Sequence, residues 1–133
     1  MIITLENKIS ELNKLAGELE QFCKVNNLSK DNLFDLNLTL DELVTNIITY
    51  GFSADDENLI YISILKNDNK IEIKLEDEGM EFNPLNEKEP EIGVALEDRE
   101  IGGLGIYFVK KKMNEIHYER ANGKNILTMV KVI

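Results

Sequence analysis

The 133-residue chain has one cysteine, Cys23, so it forms no internal disulfide and a reducing, cytoplasmic setting is expected. It has one histidine, His117, with no Ser, Cys or carboxylate placed to make a catalytic triad with it, and no Cys/His set for zinc. No run of about 18 apolar residues is present, so no membrane span is expected. The opening residues, Met1 to Glu6, lack the basic, apolar, small-residue order of a signal peptide. Positive charge is scarce. The net charge is −10, and Lys110-Lys111-Lys112 is the one basic run. A protein that grips nucleic-acid phosphates concentrates Lys and Arg on one surface, so direct nucleic-acid binding is not expected. The same acidity means that an anionic ligand would need backbone N–H groups, a metal ion, or both. Proline is limited to Pro84 and Pro90.

What is present is enough for one globular domain, expected to span residues 1–133, with 43% apolar residues and a core of useful size. Residues 5–25 read as an amphipathic helix with Leu5, Ile9, Leu12, Ala16, Leu19 and Cys23 on its stripe. Cys23 on that stripe is read as a buried structural thiol. Asn26-Asn27-Leu28 breaks the helix, and Ser29 fits the N-cap of a second helix over residues 30–50. Residues 59–66 and 70–77 read as strands of a hairpin, as do 115–121 and 124–132 around Asn122-Gly123. Between the hairpins lie an irregular acidic loop, residues 83–101, and a glycine turn opening into a third helix. The expected fold is α/β, a two-layer α+β sandwich. It has a mixed, mostly antiparallel sheet with helices on one face.

Within the second helix no Lys or Arg occurs from Leu36 to Tyr50. Leu33, Leu36, Leu40, Leu43 and Ile47 make its apolar stripe, while Glu42 and Asn46 stack one turn apart on another face with few charges. That pair has the oxygen donors to hold a hard cation such as Mg²⁺, or it is ordinary exposed polar surface. Asp77 is in phase with Ile71, Ile73 and Leu75, so it ends the buried stripe of its strand. It either caps the turn at Glu78-Gly79 or accepts a hydrogen bond from an amine in a pocket. Gly102-Gly103-Leu104-Gly105 ahead of a helix is either a simple turn or an anion cradle of bare N–H groups. It is neither a Walker loop nor a Rossmann fingerprint. Thr128, in phase with Ile126, Val130 and Val132, is expected to face inward, as a backbone-bonded β-former or at the pocket floor beside Asp77.

Three motifs stand in order: Asp41-Glu42-Leu43-Val44-Thr45-Asn46, Asp77-Glu78-Gly79-Met80-Glu81-Phe82-Asn83-Pro84, and Gly102-Gly103-Leu104-Gly105-Ile106. Together they resemble the N, G1 and G2 boxes of the Bergerat-fold ATPases, the group of gyrase and the histidine kinases. Within that group the chain is most similar to the anti-sigma factor serine kinases. The resemblance implies ATP and Mg²⁺ as cofactors. Asn46 would ligate the metal, and Glu42 would be the general base on the attacking hydroxyl. Asp77 would bind the adenine amino group, with Gly79 giving the ring room and Thr128 nearby. Gly103, Leu104 and Gly105 would cradle phosphate, and residues 85–101 would form a lid that ATP protects from protease. It also implies an antagonist protein as the phosphorylated partner, a sigma factor as a second partner, and a homodimer. The alternative is a non-catalytic, nucleotide-gated module that sequesters a partner. Two residues depart from the pattern: Tyr50 stands where histidine is common, and Glu81 replaces a glycine.

Overall fold

The computed structural model describes residues 1–51, 58–86 and 103–133, with 103 and 104 described by backbone alone. Residues 52–57, nearly all of the expected lid, and Gly102 lie outside the described residues.

The elements run β1 (Ile2–Glu6), α1 (Glu11–Val25), α2 (Lys30–Asn46), a π-helical turn (Ile47–Gly51), β2 (Leu59–Asn67), β3 (Lys70–Asp77), a 3₁₀ turn (Pro84–Asn86), α3 (Gly103–Lys112), β4 (Glu115–Ala121) and β5 (Lys124–Val132). The five strands form one sheet in the order β1-β2-β3-β5-β4, and every pairing is antiparallel. No mixed pairing occurs among the described strands, so the expectation of a mixed sheet is corrected to an antiparallel one.

The first strand was hidden by an ambiguity of period. Leu5 fits the helical stripe of the residues after it, yet it also alternates with Ile3. Pairing with β2 decides: Ile3 and Leu5 are buried against the core, opposite Ile62 and Ile60. The helix therefore begins at Glu11, and Ile9 is left exposed. α1 closes at Asn27, whose φ of 54° suits Asn. There Leu28 N–H donates to the Cys23 carbonyl at 2.9 Å and Asn27 N–H to Lys24 O at 3.3 Å. Ser29 caps α2 as expected, its Oγ accepting from Asn32 N–H at 3.1 Å. The second hairpin turns on Asn122 (φ 54°) and Gly123 (φ 76°), the positive pair that a two-residue turn needs to match strand twist.

Strands β1, β2, β3 and β5 each bury one face, while β4 at the edge is at most half-buried. The inner residues Ile60, Ile62, Ile64, Ile71, Ile73, Leu75, Leu127 and Met129 form a continuous core with Leu15, Leu19 and Phe22 of α1, Leu36, Leu40, Leu43 and Val44 of α2, and Ile106 and Val109 of α3. The helices thus cover one face of the sheet, a two-layer α/β sandwich. Full burial of each such side chain is worth about 1.5–3 kcal/mol. α2 and α3 are antiparallel neighbours, with Glu42 against Gly105 at one end and Asp35 paired with Lys112 at the other. That arrangement places the C-terminal half of α2 beside the start of α3 and above the end of β3.

Candidate functional site

The leucine stripe of α2 turns Leu36, Leu40 and Leu43 into the core, which leaves Glu42 and Asn46 half-buried on the flank. Asn46 Nδ2 donates to Glu42 Oε1 at 3.3 Å, an i, i+4 bond across one helical turn. The amide nitrogen is thereby engaged with Glu42, and the carbonyl oxygen Oδ1 is the atom of this side chain with the capacity to ligate a cation. Glu42 meets a second element as well. Gly105, in the first turn of α3, packs so closely that a Cβ there would overlap the Glu42 carboxylate. α3 begins at Gly103, so the N–H groups of Gly103, Leu104 and Gly105 belong to the helix end that lacks internal acceptors. Backbone position alone brings these three residues to the Glu42 side of the site.

Asp77 ends β3 and is buried on the inner face, as its phase required. Both hydrogen bonds it accepts fall on Oδ1: from Gly79 N–H at 2.9 Å and from Asn125 Nδ2 at 3.0 Å. Among the described residues, Oδ2 accepts none. Burial pushes the Asp77 carboxyl above its ordinary value, and the Asn125 and Gly79 hydrogen bonds and the nearby Arg120 charge only partly offset this. The turn-cap reading is thus realised on Oδ1, and Oδ2 carries no hydrogen bond among the described residues. Gly79 is enclosed: a Cβ would stand 2.5 Å from the Gly51 carbonyl oxygen and 2.8 Å from Asp77 Oδ1. Gly51 O also accepts from Met80 N–H at 2.9 Å, so the π-helical turn after Asn46 is tied to the turn after Asp77.

Asn46 and Asp77 line one narrow cleft, with a cavity volume of about 30 Å³. Leu43 and Ile47 form one wall, Met80, Phe82 and Pro84 another, with Tyr118 and Asn125 beside Asp77. A largely apolar slot with one buried carboxylate suits a flat heteroaromatic ring bearing an amino group. At the other end, Glu42 and Asn46 supply oxygen donors beside a helix N-terminus. The donor set fits a hard cation that keeps most of its ligands from water and phosphate. Among the described residues no cluster of three or more His, Cys, Asp or Glu is placed to hold a metal ion. Glu81 is exposed and does not line the cleft, and Tyr50 is likewise exposed.

Thr128 is not part of this site. The buried residues of β5 are Asn125, Leu127, Met129 and Lys131, so Thr128 lies on the outer face of the sheet with Ile126, Val130 and Val132. Its Oγ1 donates to the His117 carbonyl at 3.4 Å on that face. The alternation was read with the right period and the wrong phase, because the outer set is the more apolar of the two. The position beside Asp77 is taken by Asn125, directly opposite it in the β3–β5 register. Asn125, Tyr118 and Arg120 were all missed. The available signal was Asn125 itself, a polar side chain in phase with Leu127 and Met129.

Comparison with known proteins covers nearly the whole chain. Residues 5–131 match the family model described as the histidine kinase-like ATPase domain. The chain belongs to this family. Among curated relatives of this ATPase domain, the serine/threonine-protein kinase BtrW of Bordetella bronchiseptica is 26% identical over 96 residues, covering 72% of this chain and 68% of that protein. The anti-sigma F factor of Priestia megaterium is 29% identical, covering 67% of this chain and 61% of that one. The serine-protein kinase RsbW of Listeria monocytogenes is 27% identical, covering 74% and 66%. The chain thus spans about two thirds of the length of these relatives. In a crystal structure of the RsbU and RsbW domains of Rv1364c from Mycobacterium tuberculosis, the superposition gives a TM-score of 0.68 at 14% identity. It covers 99% of this chain and 32% of that one, which supports the ATPase fold. Among the described residues, no helix is long and apolar enough to cross a membrane.

Proposed function

We propose that this ATPase-family chain is a Mg-ATP-dependent protein serine kinase of the anti-sigma type, a single domain acting in a partner-switching pathway. The observation that carries the reading is the shared cleft. Asn46, hydrogen-bonded to Glu42, stands at one end and the buried Asp77 at the other. Asp77, when ionised, accepts from the exocyclic amine of adenine, and enclosed Gly79 keeps that wall free of side chain. Asn46 Oδ1 is the protein ligand for Mg²⁺, which screens the phosphates when bound. The N–H groups of Gly103, Leu104 and Gly105 meet phosphate oxygen at the start of α3.

Glu42 is the catalytic base. Its carboxylate takes the proton of a serine hydroxyl on the partner protein as the serine oxygen bonds to the γ-phosphorus. The bond from γ-phosphorus to the β–γ bridging oxygen breaks, and ADP departs with that electron pair. The phosphorylated partner is an antagonist protein, and a sigma factor is the second partner of the pathway. The chain acts in the cytoplasm as a homodimer. Relatives named as serine kinases and as an anti-sigma factor support this assignment of substrate class.

The test pairs Mg-ATP calorimetry with phosphate transfer from labelled ATP to a candidate antagonist protein, using wild type and Glu42→Ala. Wild type should bind and transfer, and the variant should bind without transferring. A wild-type chain that binds Mg-ATP and a protein partner but transfers nothing would instead be a nucleotide-gated binding module. Absence of Mg-ATP binding would sink both readings.

A further inference from the structure

Asn125 makes four hydrogen bonds with one amide. Nδ2 donates to Asp77 Oδ1 at 3.0 Å and to the Met80 carbonyl at 2.8 Å. Oδ1 accepts from Phe82 N–H at 3.2 Å and from the Tyr118 hydroxyl at 2.6 Å. The orientation of the amide follows from the backbone alone, since Phe82 N–H can only donate and Met80 O can only accept. Every donor and acceptor of this side chain is thus consumed, and Asn125 has nothing left to offer a ligand. Its effect on the cleft passes through Asp77. The Gly79 and Asn125 bonds occupy Oδ1, and Oδ2 is the oxygen without a partner among the described residues.

Building on the adenine-binding reading of the cleft, we propose that Asn125 is the positioning residue of base recognition. It holds Asp77 by Oδ1 and so presents Oδ2 to the amino group of the base, with the Tyr118 hydroxyl bracing the amide. A base carrying an oxo group at the same place would set its oxygen against Oδ2. Asn125 therefore supports discrimination between adenine and hypoxanthine nucleotides without touching either.

A pH signature follows. A proton on Asp77 goes to Oδ2, because Oδ1 is already committed to two donors, and this removes the acceptor for the amine. The Asn125 bond favours the charged carboxylate, so its loss moves the titration of Asp77 upward. Among the described residues, the other charged or titratable groups around Asp77 are Arg120 and Tyr118 from β4 and Glu78 and Glu81 from the turn after it. Leu43, Asn46 and Ile47 on the helical side and Ile60 on β2 carry no charge.

The experiment measures ADP and IDP binding by calorimetry for wild type, Asn125→Ala and Tyr118→Phe. It also follows the Asp77 carboxyl by carbon-13 titration in the nucleotide-free proteins. Loss of a hydrogen bond to a charged group should weaken ADP about tenfold or more in Asn125→Ala, with IDP changed by only about threefold or less, and should raise the Asp77 midpoint. Tyr118→Phe should show the same pattern at smaller amplitude, and it decides the matter if Asn125→Ala does not fold. A purely structural role would lower the melting temperature and leave the ADP-to-IDP ratio and the Asp77 midpoint where they were. That result overturns the proposal while wild-type ADP binding still stands. If wild type binds neither nucleotide, the adenine reading of the cleft and the recognition role fall together, visibly before any variant is compared.

Discussion

The carboxylate of Glu42 lies where the Cβ of any side chain at position 105 would stand. α2 and α3 close on each other at that point with room for hydrogen alone. The carboxylate proposed as the catalytic base is thus held by the first turn of α3. A glycine at that position is what the close approach of the carboxylate requires.

Gly105→Ala should therefore damage the site without a change of charge. The added methyl meets the end of a side chain, so the pair relaxes by displacing Glu42 or the start of α3, at about 1–3 kcal/mol. Phosphate transfer should fall far more than stability. A double-mutant cycle with Glu42→Ala checks the cause: the two changes together should be less destabilising than their sum, because the second relieves the clash of the first. Additive losses in urea unfolding would show that the methyl is felt elsewhere.

Asp77→Asn should separate fold from binding. The folded-state pKa of Asp77 is raised by burial, so the folded protein holds this proton more tightly than the unfolded chain does. Its stability contribution is fully present below the unfolded value, about 3.9, and is lost as pH rises through the folded value. At neutral pH the ionised group therefore weighs against folding. Asn keeps an oxygen for Gly79 and Asn125 and removes the charge. The variant should melt no lower than wild type at pH 7, and its advantage should shrink as pH is lowered into the carboxylate range. Adenine nucleotide affinity should meanwhile drop about tenfold or more, since an N–H₂ now faces the amine. A variant that melts well below wild type at pH 7 would contradict the account.

Much of this was legible because local and tertiary signals agreed. The leucine spacing of α2, Ser29 before it, the alternation ending in Asp77 and the Asn122-Gly123 turn each found the structure they predicted. Glu42 and Asn46 could be placed on one face by helical spacing alone. Failures came where two patterns competed. Leu5 belongs to a helical stripe and to a strand, and only pairing with β2 chooses between them. In β5 both alternating sets contain apolar residues. The inner set ends in Lys131, a residue that is buried only because Asp35 waits for it on α2. Nothing local to β5 reveals that partner, so the phase was read from hydrophobicity and came out inverted. Asn125 was missed for the same reason.

The inverted phase yields a clean control. Thr128 sits on the outer face with a 3.4 Å bond to the His117 carbonyl, half-buried and away from the cleft. Thr128→Val keeps the branched shape that a strand favours and removes a weak hydrogen bond. Stability should change by about 0.5 kcal/mol or less, and nucleotide affinity should stay within about twofold of wild type. A large loss of ADP binding by calorimetry would return Thr128 to the site and reverse the face assignment of β5.

The far end of the α2–α3 pair makes the last prediction. Lys131 Nζ lies 3.0 Å from Asp35 Oδ2 and donates to the Lys112 carbonyl at 3.3 Å, while Lys112 Nζ lies 3.4 Å from Asp35 Oδ1. The two lysines are not equivalent. Lys131 is buried, whereas the Lys112 side chain is 41% exposed. Removing Lys112 should cost about 0–1 kcal/mol, the usual worth of an exposed pair. Asp35→Ala leaves the Lys131 ammonium buried without its carboxylate and should cost about 3 kcal/mol. Replacing both as Asp35→Leu/Lys131→Met should recover most of that loss, because the desolvation of two charges is no longer needed. Urea unfolding of the three variants distinguishes these cases. Equal losses for Lys112→Ala and Asp35→Ala would mean that Lys131 reaches water when its partner is gone. Since the same helix pair holds Glu42 against Gly105 at its other end, Asp35→Ala should also lower phosphate transfer more than Lys112→Ala does.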